Sequence, residues 1–164
     1  MKNERYKILT PDTMKTFHDV NDILDFAINS EQESVDFYTQ LAQTATNEEM
    51  KKVFIQFAGE EMGHKARLTN IKLTGQLQLP VEKITDLKIA DYMVDVKPSP
   101  EMNYQDALIL AMNKEKKAFR LYMDLSAKAT INELRSLFMS LAVEESKHKL
   151  RFEIEYDDFV LKEN

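Results

Sequence analysis

Glu-x-x-His occurs twice in this chain, as Glu61 to His64 and as Glu145 to His148. Residues three apart on a helix differ by about 60° and one short rise, so each Glu and its His point the same way. Two further acids, Glu31 and Glu115, stand 84 positions apart, the same offset that separates the two Glu-x-x-His pairs. Four carboxylates and two imidazoles would then converge. Such a cluster cannot simply be buried, because anions crowded in a low dielectric must protonate or bind cations. Two divalent metals would balance four carboxylates. A donor set rich in oxygen, with one imidazole per metal, suits iron or manganese. Zinc prefers fewer ligands and more nitrogen or sulfur.

The elements that must position these groups follow from a repeat. Residues 24–68 lie over 108–152 without a gap, and 16 of the 45 aligned positions are identical. Two copies are too few for a solenoid and suit a four-helix bundle. Periodicity agrees. Leu24, Ala27, Glu31, Ser34, Tyr38 and Leu41 step by threes and fours, as do Met50, Phe54, Phe57, Glu61, His64 and Leu68. Leu108, Ala111, Glu115, Ala118, Tyr122 and Leu125 repeat the first stripe, and Leu134, Phe138, Leu141, Glu145, His148 and Phe152 the second. Each is an amphipathic helix with its polar donors on the core face.

Helices are predicted near 20–44, 47–73, 104–128 and 131–160. Thr46 with Glu49 and Thr130 with Glu133 read as capping boxes, and Asn103 caps the third helix. Gly75 fits the stop of the second. The expected architecture is all-α, a four-helix bundle of two hairpins (20–73 and 104–160) joined by a long crossover over 75–103. A short helix is expected near 86–94, where Leu87, Ala90 and Val94 share a face. The whole of 1–164 reads as a single domain.

Composition narrows the function. A net charge of −6 without a Lys/Arg cluster argues against nucleic acid. No apolar run approaches 18 residues, so no membrane span is expected. The N-terminus has no apolar core of a signal peptide, and the cytoplasm is the expected compartment. With no cysteine, disulfides, thiol catalysis and cysteine-ligated iron are excluded on this chain.

The segments "EQESVDFY", "EEMGH", "EKKAFRLY" and "EESKH" resemble the rubrerythrin-like branch of the ferritin-like superfamily, over roughly residues 20–155. The resemblance implies a di-iron centre, two Fe ions with Mn as the alternative, held by Glu31, Glu61, His64, Glu115, Glu145 and His148. Two of the four Glu would bridge the metals. Tyr38 and Tyr122, each seven residues after a lone Glu, also match the family. They lie about 20° off the metal face after two turns. A hydrogen bond to a ligating Glu is the role implied for them.

The activity implied is reduction of hydrogen peroxide, or of dioxygen, in oxidative-stress defence. Ferroxidase or iron storage is the alternative, and a metal-free helical interaction module the third reading. Rubrerythrins carry a cysteine-rich rubredoxin domain that feeds electrons to the centre. This chain lacks it, so an external donor protein such as rubredoxin is expected. Rubrerythrins also place an extra carboxylate one turn after the third-helix Glu, where this chain has Lys117-Ala118. The set left is more symmetric and closer to bacterioferritin. A homodimer is expected from the family. No haem is expected, although Met62 sits near the place where bacterioferritin binds it. His18 has no repeat partner and reads as ordinary. Glu60 and Glu144 are repeat-paired one residue off the stripe, with solvent-facing and supporting roles both open. Gly59 and Gly63 give way to Val143 and Lys147 in the second copy. They are expected to allow close packing or oxidant access on one side only.

Overall fold

The computed structural model describes residues 14–17, 19–75, 84–88, 98–129 and 131–163. Helix α1 spans Val20–Thr44 and α2 Glu48–Thr74. Helix α3 spans Tyr104–Lys128 and α4 Asn132–Glu163. The fold is an all-α, ferritin-like four-helix bundle of two hairpins, α1–α2 and α3–α4. A short turn at 45–47 closes the first, and three residues separate α3 from α4 in the second.

The helix ends are set by local hydrogen bonds. Asp19 caps α1 by accepting from Asp22 N at 2.8 Å, and Asn103 caps α3 by accepting from Asp106 N at 2.8 Å. At α2 the expected Thr46 cap gives way to Asn47, whose side chain accepts from Met50 N at 2.7 Å. The helix therefore begins one residue later. Thr130 lies outside the described residues, and α4 begins at Asn132. Gly75 ends α2 with φ 64°, the left-handed conformation that a Cβ disfavours.

The crossover differs from expectation. Ile84–Lys88 is a strand, β2, paired antiparallel with β1 at Met14–Phe17. Met14 faces Lys88 and Lys15 faces Leu87, with an irregularity before Phe17 meets Ile84. The predicted helix near 86–94 is therefore not formed over 86–88. Ile84 and Thr85 are β-branched and suit a strand, and a helix as short as the expected one is marginal on its own. The rest of that prediction, and His18, lie outside the described residues.

The core comes in two apolar blocks. One joins the start of α1, the end of α2, the end of α3 and the start of α4, through Ile23, Leu24, Leu68, Leu125, Leu134 and Phe138. The other joins the opposite ends, through Tyr38, Leu41, Phe54, Phe57, Leu108 and Phe152. Between them the four helices each turn acid or imidazole side chains inward.

Candidate metal centre

Glu31, Glu61, Glu115, Glu145 and His148 are buried between the two apolar blocks. Their helix positions do this: a heptad stripe that is apolar above and below must carry its polar members into the same core. His64 joins them, with its Nδ1 3.0 Å from Glu145 Oε1, 3.5 Å from Glu61 Oε2 and 3.6 Å from Glu31 Oε2. His148 turns its Nδ1 to Glu61 Oε1 at 2.9 Å and to Glu115 Oε1 and Glu145 Oε2, both at 3.6 Å. The two imidazoles stack with centroids 5.4 Å apart. All six residues singled out in the sequence thus meet in one place.

They form two donor groups. Glu31, Glu61, His64 and Glu145 offer atoms within 4.8 Å of one another, and so do Glu61, Glu115, Glu145 and His148. Glu61 and Glu145 belong to both groups. One oxygen on each of the four carboxylates, Oε2 of Glu31, Glu61, Glu115 and Glu145, is buried with no hydrogen-bond partner among the described residues. Orphaned buried oxygens are costly, and a cation between them would satisfy them. The donor chemistry and these four oxygens fit a pair of divalent metals.

The tyrosines cross the bundle. Tyr38 on α1 donates to Glu115 Oε1 on α3 at 2.5 Å. Tyr122 on α3 donates to Glu31 Oε1 on α1. Both rings are fully buried, and each bond takes up one oxygen of a carboxylate whose Oε2 is buried. Burial, then the nearby carboxylates, push both phenols well above their usual range, so both stay protonated donors.

Protons balance the charge of a metal-free cluster. Burial pushes Glu31 up from 4.5 to about 8, against the pull of His64. Burial and the charge of Glu145 push Glu115 well above the usual carboxylate range. Burial would raise Glu61 as well, but hydrogen bonds with His148 and His64 prevail and hold it below its ordinary value. Burial opposes charge on the histidines, yet their carboxylate partners outweigh it. His148 is pushed up to about 12, and His64 is raised further.

Sequence reasoning left one supporting group unassigned. Glu60 Oε2 lies 2.7 Å from His148 Nε2, the ring nitrogen that faces away from the cluster. Arg151 Nη1 donates to both Glu60 oxygens at 2.9 Å. The repeat had paired Glu60 with Glu144 but carried no sign of its partner, because His148 comes from the other hairpin. Met62 is exposed on α2. The close-packing role expected of the glycines finds no support: among the described residues a Cβ on Gly59 or Gly63 would meet nothing within 4 Å. Both sit on an outward face of α2, away from the core.

Comparison with known proteins agrees with this architecture. The rubrerythrin family model matches residues 22–156. A solved structure of a candidate ferritin-like diiron-carboxylate protein from Thermotoga maritima is similar, with a TM-score of 0.69 at 22% identity. The match covers 85% of this chain and 96% of that one. A hypothetical protein from Pyrococcus furiosus matches with a TM-score of 0.60 at 21% identity, over 94% of this chain and 92% of that one. These two likenesses are likenesses of fold. No curated protein sequence matches.

Proposed function

This chain belongs to the rubrerythrin family, and from that premise we propose that it is a non-haem di-iron oxidoreductase that reduces hydrogen peroxide, with dioxygen as the close variant. One observation carries the reading. Two donor groups share Glu61 and Glu145, and four buried carboxylate oxygens there have no partner among the described residues. Glu31 and His64 would help hold one metal, Glu115 and His148 the other, and Glu61 and Glu145, which belong to both groups, could serve either. Two ferrous ions, giving one electron each, would supply the two electrons that turn peroxide, with two protons, into two waters.

The chain's own residues prepare that chemistry. Tyr38 and Tyr122 hold Glu115 and Glu31 by one oxygen each and leave the other for metal. The apolar blocks above and below keep bulk water from the cluster. The 164 residues hold no cysteine for a rubredoxin-type iron, and we propose that the electrons for turnover come from a separate donor protein. A rubredoxin is the donor we propose, and the cytoplasm the compartment. Among the described residues no helix is long and apolar enough to cross a membrane.

The test is anaerobic loading with Fe(II), followed by stoichiometric peroxide. Rapid peroxide loss with ferric absorption, reset by a reduced donor protein, is the expected result. Loading of many irons per chain, with oxidised iron leaving the site, would favour ferroxidase or storage instead. The six-donor set without an acid at Lys117-Ala118 is what keeps that second reading in play.

A further inference from the structure

We propose that the two metal positions are unequal, and that Glu60 and Arg151 are positioning residues that make the His148 position the tighter one. The inference rests on the reading of the cluster as a two-metal centre. It comes from a break in the internal symmetry. The His148 ring is held on both sides, by Glu61 at Nδ1 and by Glu60 at Nε2. Glu60 is held in turn by Arg151, and by Gln56 Nε2 at 3.3 Å. Arg151 lies over the Phe57 ring, 4.5 Å from its centroid, and the same ring meets His148 edge-on at 5.1 Å.

The second half keeps the charges and loses the seat. Glu60 and Arg151 correspond to Glu144 and Arg67, but Phe57 corresponds to Leu141 and Gln56 to Ser140. A leucine offers no cation–π surface to an arginine. Arg67 donates to Ser140 Oγ at 3.2 Å instead. Among the described residues nothing joins Glu144 to His64. The His64 side chain is 12% exposed against 4% for His148. A carboxylate on the far nitrogen of a ligating histidine fixes the ring and raises its basicity. Among the described residues only His148 has one.

Anaerobic titration with Co(II) tests this, followed by visible absorption and by the shifted ring-proton signals of the histidines. Two binding steps of unequal affinity are expected. The first equivalent should shift the His148 signals, identified by their loss in His148→Gln, and the second those of His64. Glu60→Gln should weaken the first step by about 10- to 100-fold, the usual effect of removing such a partner. Glu144→Gln should leave both steps as they were. Phe57→Leu, which removes the arginine seat and no charge, should weaken the first step in the same direction, and it stands in if Glu60→Gln fails to fold. Two equal steps, first occupation at His64, or equal effects of Glu60→Gln and Glu144→Gln would each overturn the inference while leaving the two-metal reading intact. A chain that binds no Co(II) would overturn both.

Discussion

The hydroxyl of Tyr38 on α1 reaches Glu115 on α3, 77 positions away in sequence, at 2.5 Å. Tyr122 on α3 makes the reciprocal bond to Glu31 on α1. Each hairpin thus holds a carboxylate of the other. Tyr38→Phe would leave Glu115 Oε1 buried and without that donor, which typically costs about 1–3 kcal/mol. We expect Tyr38→Phe and Tyr122→Phe each to lower the unfolding free energy of the metal-free chain by that amount. Urea titration with an unchanged m-value checks it.

The donor groups make shared and unshared carboxylates separable. Glu61→Ala removes a donor from both groups, and Glu31→Ala from one. Glu61→Ala should lose both metals, whereas Glu31→Ala should retain one per chain. Metal analysis after anaerobic loading and desalting reads this directly. Two metals per chain in Glu61→Ala and in His148→Ala would refute the ligand assignment.

Stability of the metal-free chain should fall as pH rises between about 5 and 8. Glu31 keeps its proton to about 8 when folded and only to 4.5 when unfolded, so the folded state binds more protons across that window. His148 acts in the same direction. Its raised value contributes stability that is complete below 6.5 and lost as pH climbs toward about 12. Glu61, held low, contributes in the opposite sense only at pH below 4.5. Metal binding must displace these protons, so loading should release protons and flatten the slope. Urea midpoints of both forms across the window, with a pH indicator during loading, measure it.

Gly59→Ala and Gly63→Ala should each stabilise the chain. Both are interior to α2 and a Cβ meets open space at either. Removing a helix-interior glycine gains about 0.5–1 kcal/mol. Metal content should stay at two per chain. An unchanged peroxide rate in Gly63→Ala would remove the oxidant-access role of that glycine as well.

The helix bundle and the identity of the six clustered residues were legible in the sequence for one reason. A fixed offset of 84 ties each donor to a counterpart, and helical periodicity puts all of them on core stripes. Periodicity assigns a residue to a face, but it does not say which opposing helix that face meets. The crossing of the tyrosine bonds therefore stayed hidden, and so did the meeting of Glu60 with His148. Glu60 was harder still, because it lies one position off the stripe and reaches the ring from the side. The pairing of Met14–Phe17 with Ile84–Lys88 is a long-range choice that local spacing cannot express. The Leu87, Ala90 and Val94 spacing looked helical because period alone does not weigh strand partners.

The substitution of Phe57 by Leu141 in the second half has a historical consequence. Each hairpin supplies one lone Glu, one Glu-x-x-His and one Tyr, so two identical hairpins could assemble the same six donors with both halves equal. In such an ancestor any change beside one histidine would appear beside the other. Joining two such copies in one gene would remove that constraint. The arginine seat beside Glu60 could then be kept on one side and given up on the other, and the two halves of the cluster would no longer be bound to stay alike.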